Sequence, residues 1–257
     1  MSRRVKFAKE DQEEEEDRIR RTKDSGGESL DTDIVPPAKS FTEVIGNRSR
    51  FLSPGCKRVI VIGPSGSGKT GFVTRAFLNM IHPPLGGVYL VYKADSPSNM
   101  DMYHGIEDYC VDNDFPFTMD KAITKEMFRN IMADDIPKLL IIDDFIDGSY
   151  DPFTNHAIQS VFSRGRHKNC YVCLISQDYQ SLPKHGKESF NIMLMWPQSR
   201  RGLLNYIMQC MDGTVDRETL KEVMEHVARP ENKHSFAFLQ KDGDSFIVNR
   251  DYRFFKI

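Results

Sequence analysis

The sequence predicts an α/β fold: a mainly parallel central sheet flanked by helices, with a C-terminal β-hairpin. Three observations carry that prediction. From residue 58 onward short apolar runs alternate with segments of helical period, the trace that parallel strands joined by crossover helices leave in a sequence. At residues 63–70 a glycine-rich turn joins one such apolar run to a helical segment. Near the C-terminus, HSFAFLQKDGDSFIVNR holds two alternating runs around KDGD, and Asp-Gly tolerates the positive φ values of a tight turn.

The elements follow in order. RVIVIG, residues 58–63, is a first strand, and GKTGFVTRAFLNMI is a helix with Phe72, Ala76, Phe77 and Met80 on one stripe. GGVYLVYKA, residues 86–94, is a second strand, followed by a polar, less regular stretch. TKEMFRNIMADD reads as a helix, KLLIIDDF at residues 138–145 as a buried strand, and TNHAIQSVFSRGR as a helix. NCYVCLISQ and ESFNIMLMW are strands, and GLLNYIMQCM and DRETLKEVMEHVA are two closing helices. No internal repeat or heptad array interrupts this alternation.

At 257 residues the chain suits one α/β domain with extensions. Residues 1–38 are dominated by charge, as in KEDQEEEEDRIRRTKDSGGE, and cannot bury enough apolar area to offset the entropy of ordering. They are expected to form a disordered or partly helical arm, either a solvated extension or a docking tail, ahead of a domain spanning residues 39–257. A net charge of -2 gives no global basic field, so nucleic-acid binding has to come from a local patch or a channel shared by several subunits.

No run of about eighteen apolar residues and no signal-peptide segment is present. The expectation is a soluble protein with no direct membrane span, in an intracellular, reducing setting. Five cysteines, an odd number, cannot all pair within one chain. Cys170 and Cys173 have CxxC spacing, but on a strand residues an odd number apart face opposite ways. A structural role follows for both.

GPSGSGKT, Gly63 to Thr70, fits G-x-x-x-x-G-K-[ST] in full, with a strand before it and a helix after. Gly63, Pro64, Ser65, Gly66, Ser67 and Gly68 form a loop whose backbone N–H groups can turn inward around phosphates. Lys69 supplies positive charge to the β and γ groups, and Thr70 offers its hydroxyl to Mg²⁺. ATP and Mg²⁺ are therefore the expected ligands.

In LLIIDDF, the apolar run places Asp143 at the carboxyl edge of a strand, where a Mg²⁺-orienting carboxylate belongs. Asp144, next in line, is the candidate for polarising the attacking water; the alternative is a cap for the following turn. VYLVY lies between the two motifs in sequence and is expected to lie between their strands in the sheet, an arrangement of ATPases with a catalytic acid rather than of nucleoside monophosphate kinases.

Gln177 ends the strand that follows, at the same edge as Lys69 and Asp143, so its amide can touch the γ-phosphate or the water. Arg164 and Arg166 belong to the opposite end of that strand. Eight residues of strand span on the order of 25 Å, too far for either arginine to reach its own nucleotide. Each makes sense as a finger entering a neighbouring subunit's site. A solvated basic turn, or with His167 and Lys168 a DNA-facing patch, fits the same residues.

GPSGSGKT, LLIIDDF, SRGRH and ISQDYQSLPK, in that order and spacing, resemble the poxvirus-type genome-packaging ATPases of large double-stranded DNA viruses and virophages, members of the FtsK–HerA superfamily. The resemblance covers roughly residues 40–250. It implies a RecA-like ASCE P-loop NTPase fold, a homo-oligomeric ring, ATP-driven translocation of double-stranded DNA into a preformed capsid, and capsid vertex proteins as partners at a site of virus assembly.

Carried across, the resemblance assigns the Walker A loop to Gly63–Thr70, the Walker B pair to Asp143 and Asp144, the polar sensor to Gln177 and the trans arginine to Arg166. Relatives usually carry an Arg and an Asn after the LP. Here Lys187 and Asn191 correspond only loosely. Two rivals stand beside the packaging motor: a nucleotide-dependent capsid assembly or scaffold switch without translocation, and a cellular-type DNA pump.

Overall fold

The computed structural model describes residues 57–81, 85–93, 96–133, 135–146, 150–182, 189–197, 207, 215–241, 243, 245–250 and 254–256. The charged arm, the boundary at residue 39, Cys56, Cys210, Lys187 and, apart from Ile207, the expected helix GLLNYIMQCM lie outside them.

The parallel strands are β1 (Arg58–Ile62), β2 (Val88–Val91), β3 (Phe117–Asp120), β4 (Lys138–Ile142), β5 (Cys170–Ser176) and β6 (Ile192–Met195). They are joined through helices α1 (Lys69–Arg75), α2 (Pro97–Asp112), α3 (Lys125–Met132) and α4 (Pro152–Arg164). After α5 (Arg217–Val227), strands β7 (Phe236–Gln240), β8 (Phe246–Val248) and β9 (Phe254–Lys256) extend the sheet antiparallel. The order across the sheet is β3-β2-β4-β5-β1-β6-β7-β8-β9. The expected α/β class and hairpin are both present, β7 pairing β8 antiparallel from Phe236↔Val248 to Phe238↔Phe246.

β1, β4 and β5 read as unbroken apolar runs because both of their faces are covered. Val59 and Val61 pack with Phe72, Tyr103 and Ile106 on the α1/α2 side. Ile60 and Ile62 pack with Ile158, Val161, Leu220 and Val223 on the α4/α5 side. Cys173 belongs to the first layer and Cys170 to the second, as strand period requires, and burial pushes the Cys173 thiol up.

Three expectations are corrected. The first concerns VYLVY, now β2, which lies outside β4 rather than between the two motif strands; β5 fills that slot, pairing β4 on one side and β1 on the other. The chain leaves β1, crosses over to β2, turns outward to β3 and returns through β4 before laying down β5. Helical crossovers free neighbours in sequence from being neighbours in the sheet.

Second, the stretch read as irregular holds the 16-residue α2 and the edge strand β3. Only Tyr103, Ile106 and Cys110 of α2 are buried, so its apolar stripe is thin, while Ser96 caps its first turn by accepting from Asn99 N and Pro97 opens it. Third, the helix after the glycine-rich turn ends at Arg75 and resumes as a 3₁₀ segment, Phe77–Met80. Phe72, Ala76 and Phe77 are buried as the stripe requires.

Asp151 and Asp216 cap α4 and α5, each accepting two backbone N–H bonds. Bonds from Thr154 and Thr219 hold these carboxyls below their ordinary range. Both caps are therefore intact above the usual carboxylate pKa and are lost as pH falls through the lowered value.

The strand order makes a mutational prediction. Leu174, fully buried in the middle of central β5, should cost about 2–5 kcal/mol as Leu174→Ala. Met119→Ala on half-buried edge strand β3 should cost less than half of that in the same urea melts.

Candidate functional site

Parallel pairing puts the carboxyl ends of β1, β4 and β5 side by side, and hydrogen bonds hold them in register. Gly63 N donates to Ser176 O at 3.3 Å, Phe145 N to Ile175 O at 2.8 Å, and the Ser176 hydroxyl to Phe145 O at 2.8 Å. Trp196 N, just past β6, donates to Ile62 O at 2.9 Å. Four chain segments thus meet around one loop.

That loop is Gly63–Gly68, running from β1 into α1. Gly68 stands at φ +98° and Gly66 at +71°, left-handed values that favour glycine. A Cβ on Gly63 would lie 2.7 Å from the Cβ of Trp196, so this position is required by close approach. The Lys69 ammonium, 8% exposed, donates to Gly63 O and Pro64 O at 2.8 Å each. Burial pulls its pKa down, and the charges of Asp143 and Asp144 act the other way.

Asp143 follows directly on β4 and is 3% exposed. Its Oδ2 accepts from Thr70 Oγ1 at 3.0 Å and from the Tyr103 hydroxyl at 2.8 Å, while Oδ1 accepts from Asp144 N at 2.8 Å. Burial raises its pKa, and those three bonds offset part of the rise. Asp144 takes φ +54°, a strained conformation for a non-glycine residue, and its Oδ1 accepts from the Gln177 amide at 2.9 Å.

A cavity of about 670 Å³ opens over the loop, lined by Ser65–Thr70, Asp143, Asp144 and Gln177 on one side. Trp196, just past β6, and His234, Phe236 and Arg250 from the antiparallel β7–β8 hairpin line it on the other side. Trp196 stacks on Phe236 with centroids 4.1 Å apart, and His234, at φ +74°, meets Ser67 O through Nδ1 at 3.2 Å. Chemically this is a phosphate cradle beside two carboxylates of different environment, one buried and one half-exposed.

Among the described residues no cluster of three or more His, Cys, Asp or Glu could hold a metal. The Thr70 hydroxyl beside the Asp143 carboxylate is a hard, all-oxygen donor set, which fits Mg²⁺, an ion commonly held by one or two protein oxygens with phosphates and water. No described helix is long and apolar enough to cross a membrane.

The model of the poxvirus A32 protein family matches residues 48–243, well over half of the chain. The chain belongs to the poxvirus A32 protein family. It is therefore a P-loop ATPase of the poxvirus packaging type. None of the curated proteins matches by sequence.

Among solved structures, the genome packaging NTPase B204 from Sulfolobus turreted icosahedral virus 2, in complex with sulfate, is similar at 15% identity with a TM-score of 0.51, covering 76% of this chain and 96% of that one. Its complex with AMP is similar at 15% identity and TM-score 0.50, covering 75% and 96%. The likeness shows a shared fold, and this poxvirus A32 family member has the RecA-like ASCE P-loop architecture, with β5 between the strands of the glycine-rich loop and the acidic pair.

Of the residues singled out in the sequence, Ser65, Gly66, Ser67, Gly68, Lys69, Thr70, Asp143, Asp144 and Gln177 converge on this cavity, with Gly63 and Pro64 holding the lysine beneath it. Arg164 and Arg166 do not line it; Arg164 ends α4 and Arg166 lies in the following 3₁₀ turn, Gly165–Lys168, before the far end of β5. Asn191 is also at that far end, its Oδ1 accepting from Arg58 N at 3.1 Å, so it cannot sense a nucleotide in its own subunit.

Sequence reasoning missed Tyr103, Trp196, His234, Phe236 and Arg250. Trp196, immediately after an apolar run, was visible only as the end of a strand. The others depend on α2 and on which end of the hairpin reaches the loop.

In this family member Gly63→Ala should overpack against Trp196 and cost about 1–3 kcal/mol. The check is the urea midpoint together with the emission of Trp196, the sole tryptophan, which should shift as its ring is displaced.

Proposed function

We propose that this ATPase is a ring-forming motor that moves double-stranded DNA and packages a viral genome into a preformed capsid, with capsid vertex proteins as its docking partners. The observation that carries the reading is the convergence of Lys69, Thr70, Asp143, Asp144 and Gln177 on one cavity at the carboxyl edge of the parallel strands. Family membership supports the packaging role, as does the fold shared with a protein described as a genome packaging NTPase. In this reading the ATPase domain spans residues 39–257, residues 1–38 are an appended arm, and the protein works where virions assemble.

In the proposed mechanism the Ser65–Thr70 backbone and Lys69 hold the β- and γ-phosphates of ATP, and Thr70 with Asp143 holds Mg²⁺. The ion supplies positive charge to the phosphate oxygens when bound. Asp144 accepts a hydrogen bond from the water that attacks the γ-phosphorus, and the bond from phosphorus to the ADP oxygen breaks. Gln177, bonded to Asp144, fixes where that carboxylate points and registers the change when phosphate leaves.

Arg166, or Arg164 beside it, enters the neighbouring subunit's site and stabilises the charge that develops there. Arg166 is exposed and free of any acidic partner among the described residues; its Nε donates to His167 Nε2 at 3.3 Å. Arg164 is committed to Ser160 Oγ at 3.2 Å on its own helix. These bonds favour Arg166 as the finger.

Steady-state hydrolysis by the full chain with Mg²⁺ should rise several-fold on adding double-stranded DNA at low salt and disappear in Lys69→Ala. Hydrolysis indifferent to DNA would favour the assembly switch instead. Asp144→Asn should lower kcat by about 10²–10⁴-fold. Mixing Asp144→Asn with Arg166→Ala should restore part of the lost rate, because some interfaces then combine an intact acid with an intact arginine. No recovery on mixing would remove Arg166 from the reaction.

A further inference from the structure

Tyr103 reaches the acidic centre from α2, outside both nucleotide-binding motifs. Its side chain is fully buried between α2 and the sheet, with the Tyr92 ring 5.2 Å away. A phenylalanine would fill the same space. What the hydroxyl adds is one directed bond, 2.8 Å to Asp143 Oδ2.

That bond matters because of how a carboxylate turns. The terminal torsion of aspartate is broad and roughly two-fold, so packing alone does not fix the plane of the oxygens. At Asp143, donors from three different elements fix it: Thr70 on α1, Tyr103 on α2 and the Asp144 N–H after β4. Thr70 is itself a proposed metal contact, and the Asp144 N–H belongs to a backbone at positive φ. Tyr103 is the donor with neither commitment.

The Tyr103 phenol has a single O–H, and it is aimed at Asp143 Oδ2. The helix that carries it also supplies Ser98, Asn99 and Met102 to the cavity wall. The carboxylate and this wall are therefore joined through one side chain.

We propose that Tyr103 is a positioning residue for metal binding: its O–H holds the Asp143 carboxylate in the orientation that receives the Mg²⁺ of Mg–ATP. This rests on the reading of Asp143 as the metal-orienting carboxylate. Partners of this kind behind a metal ligand are typically worth 10–100-fold in metal affinity or activity.

The test uses the full chain and Mn²⁺ as the probe, counting free ion by electron paramagnetic resonance in the presence of ADP. Tyr103→Phe should weaken Mn²⁺ binding about tenfold or more, while ADP affinity in EDTA changes less than about twofold. Tyr103→4-aminophenylalanine, which keeps a donor at the same place, should recover most of the loss. Unchanged Mn²⁺ affinity in Tyr103→Phe, or an equal loss of ADP affinity in EDTA, overturns the proposal.

Should Tyr103→Phe fail to melt like the native chain, the amino variant decides: near-native Mn²⁺ binding supports the proposal, and a tenfold loss overturns it. Asp143→Asn, measured alongside, separates the two layers of the argument. If it binds Mn²⁺ like the native chain, the reading of Asp143 fails whatever Tyr103 does.

Discussion

The buried carboxylate of Asp143 is the constraint around which the rest of the site is arranged. Taking an ionised carboxylate out of water is expensive unless it is paired and hydrogen-bonded. Asp143 receives donors from Thr70, Tyr103 and the Asp144 backbone, while Lys69 lies close enough for their charges to influence one another. The donors belong to α1, α2 and the turn after β4, so three parts of the chain are brought to one point by the need to satisfy a single side chain.

The sheet makes that meeting possible. Each parallel strand ends in a loop at the same edge, and β5 sits between the strands of the glycine-rich loop and the acidic pair. Its last residue, Ser176, bonds to both neighbours, accepting from Gly63 N and donating to Phe145 O. Gln177 follows at once and touches Asp144. A shift of β5 would move the lysine loop, the acid and the amide together, which is the mechanical property a site needs if hydrolysis is to be felt elsewhere in the domain.

Legibility in the sequence followed the range of the forces involved. The glycine-rich loop depends on local backbone conformation at Gly66 and Gly68, and the edge position of Asp143 depends on the end of an apolar run; both are written in a few adjacent residues. The place of VYLVY depended on crossover geometry, which no short window holds. Helix α2 was missed because three buried residues in sixteen leave little periodicity, and Tyr103 was lost with it. Phe236 and His234 reach the cavity because β7 runs antiparallel, so its first residues arrive where β6 finishes.

The arginines sit at one end of the sheet and the nucleotide cavity at the other, and that separation is the physical argument for the proposed ring. At the far end Arg58 is half-buried and bonded to Phe162 O and Asn191 Oδ1, its pKa pulled down by burial and by the charge of Arg166. Two guanidinium groups held near each other repel, and a polyanion brought to that end would relieve the repulsion. Within one subunit the phosphate cradle is a strand length away, about 23 Å for the seven residues of β5. In the proposed ring, the triphosphate of the next subunit and the DNA backbone are the polyanions at hand. Only the triphosphate links Arg166 to the rate of the chemical step, whereas contact with DNA alone would leave hydrolysis without DNA untouched.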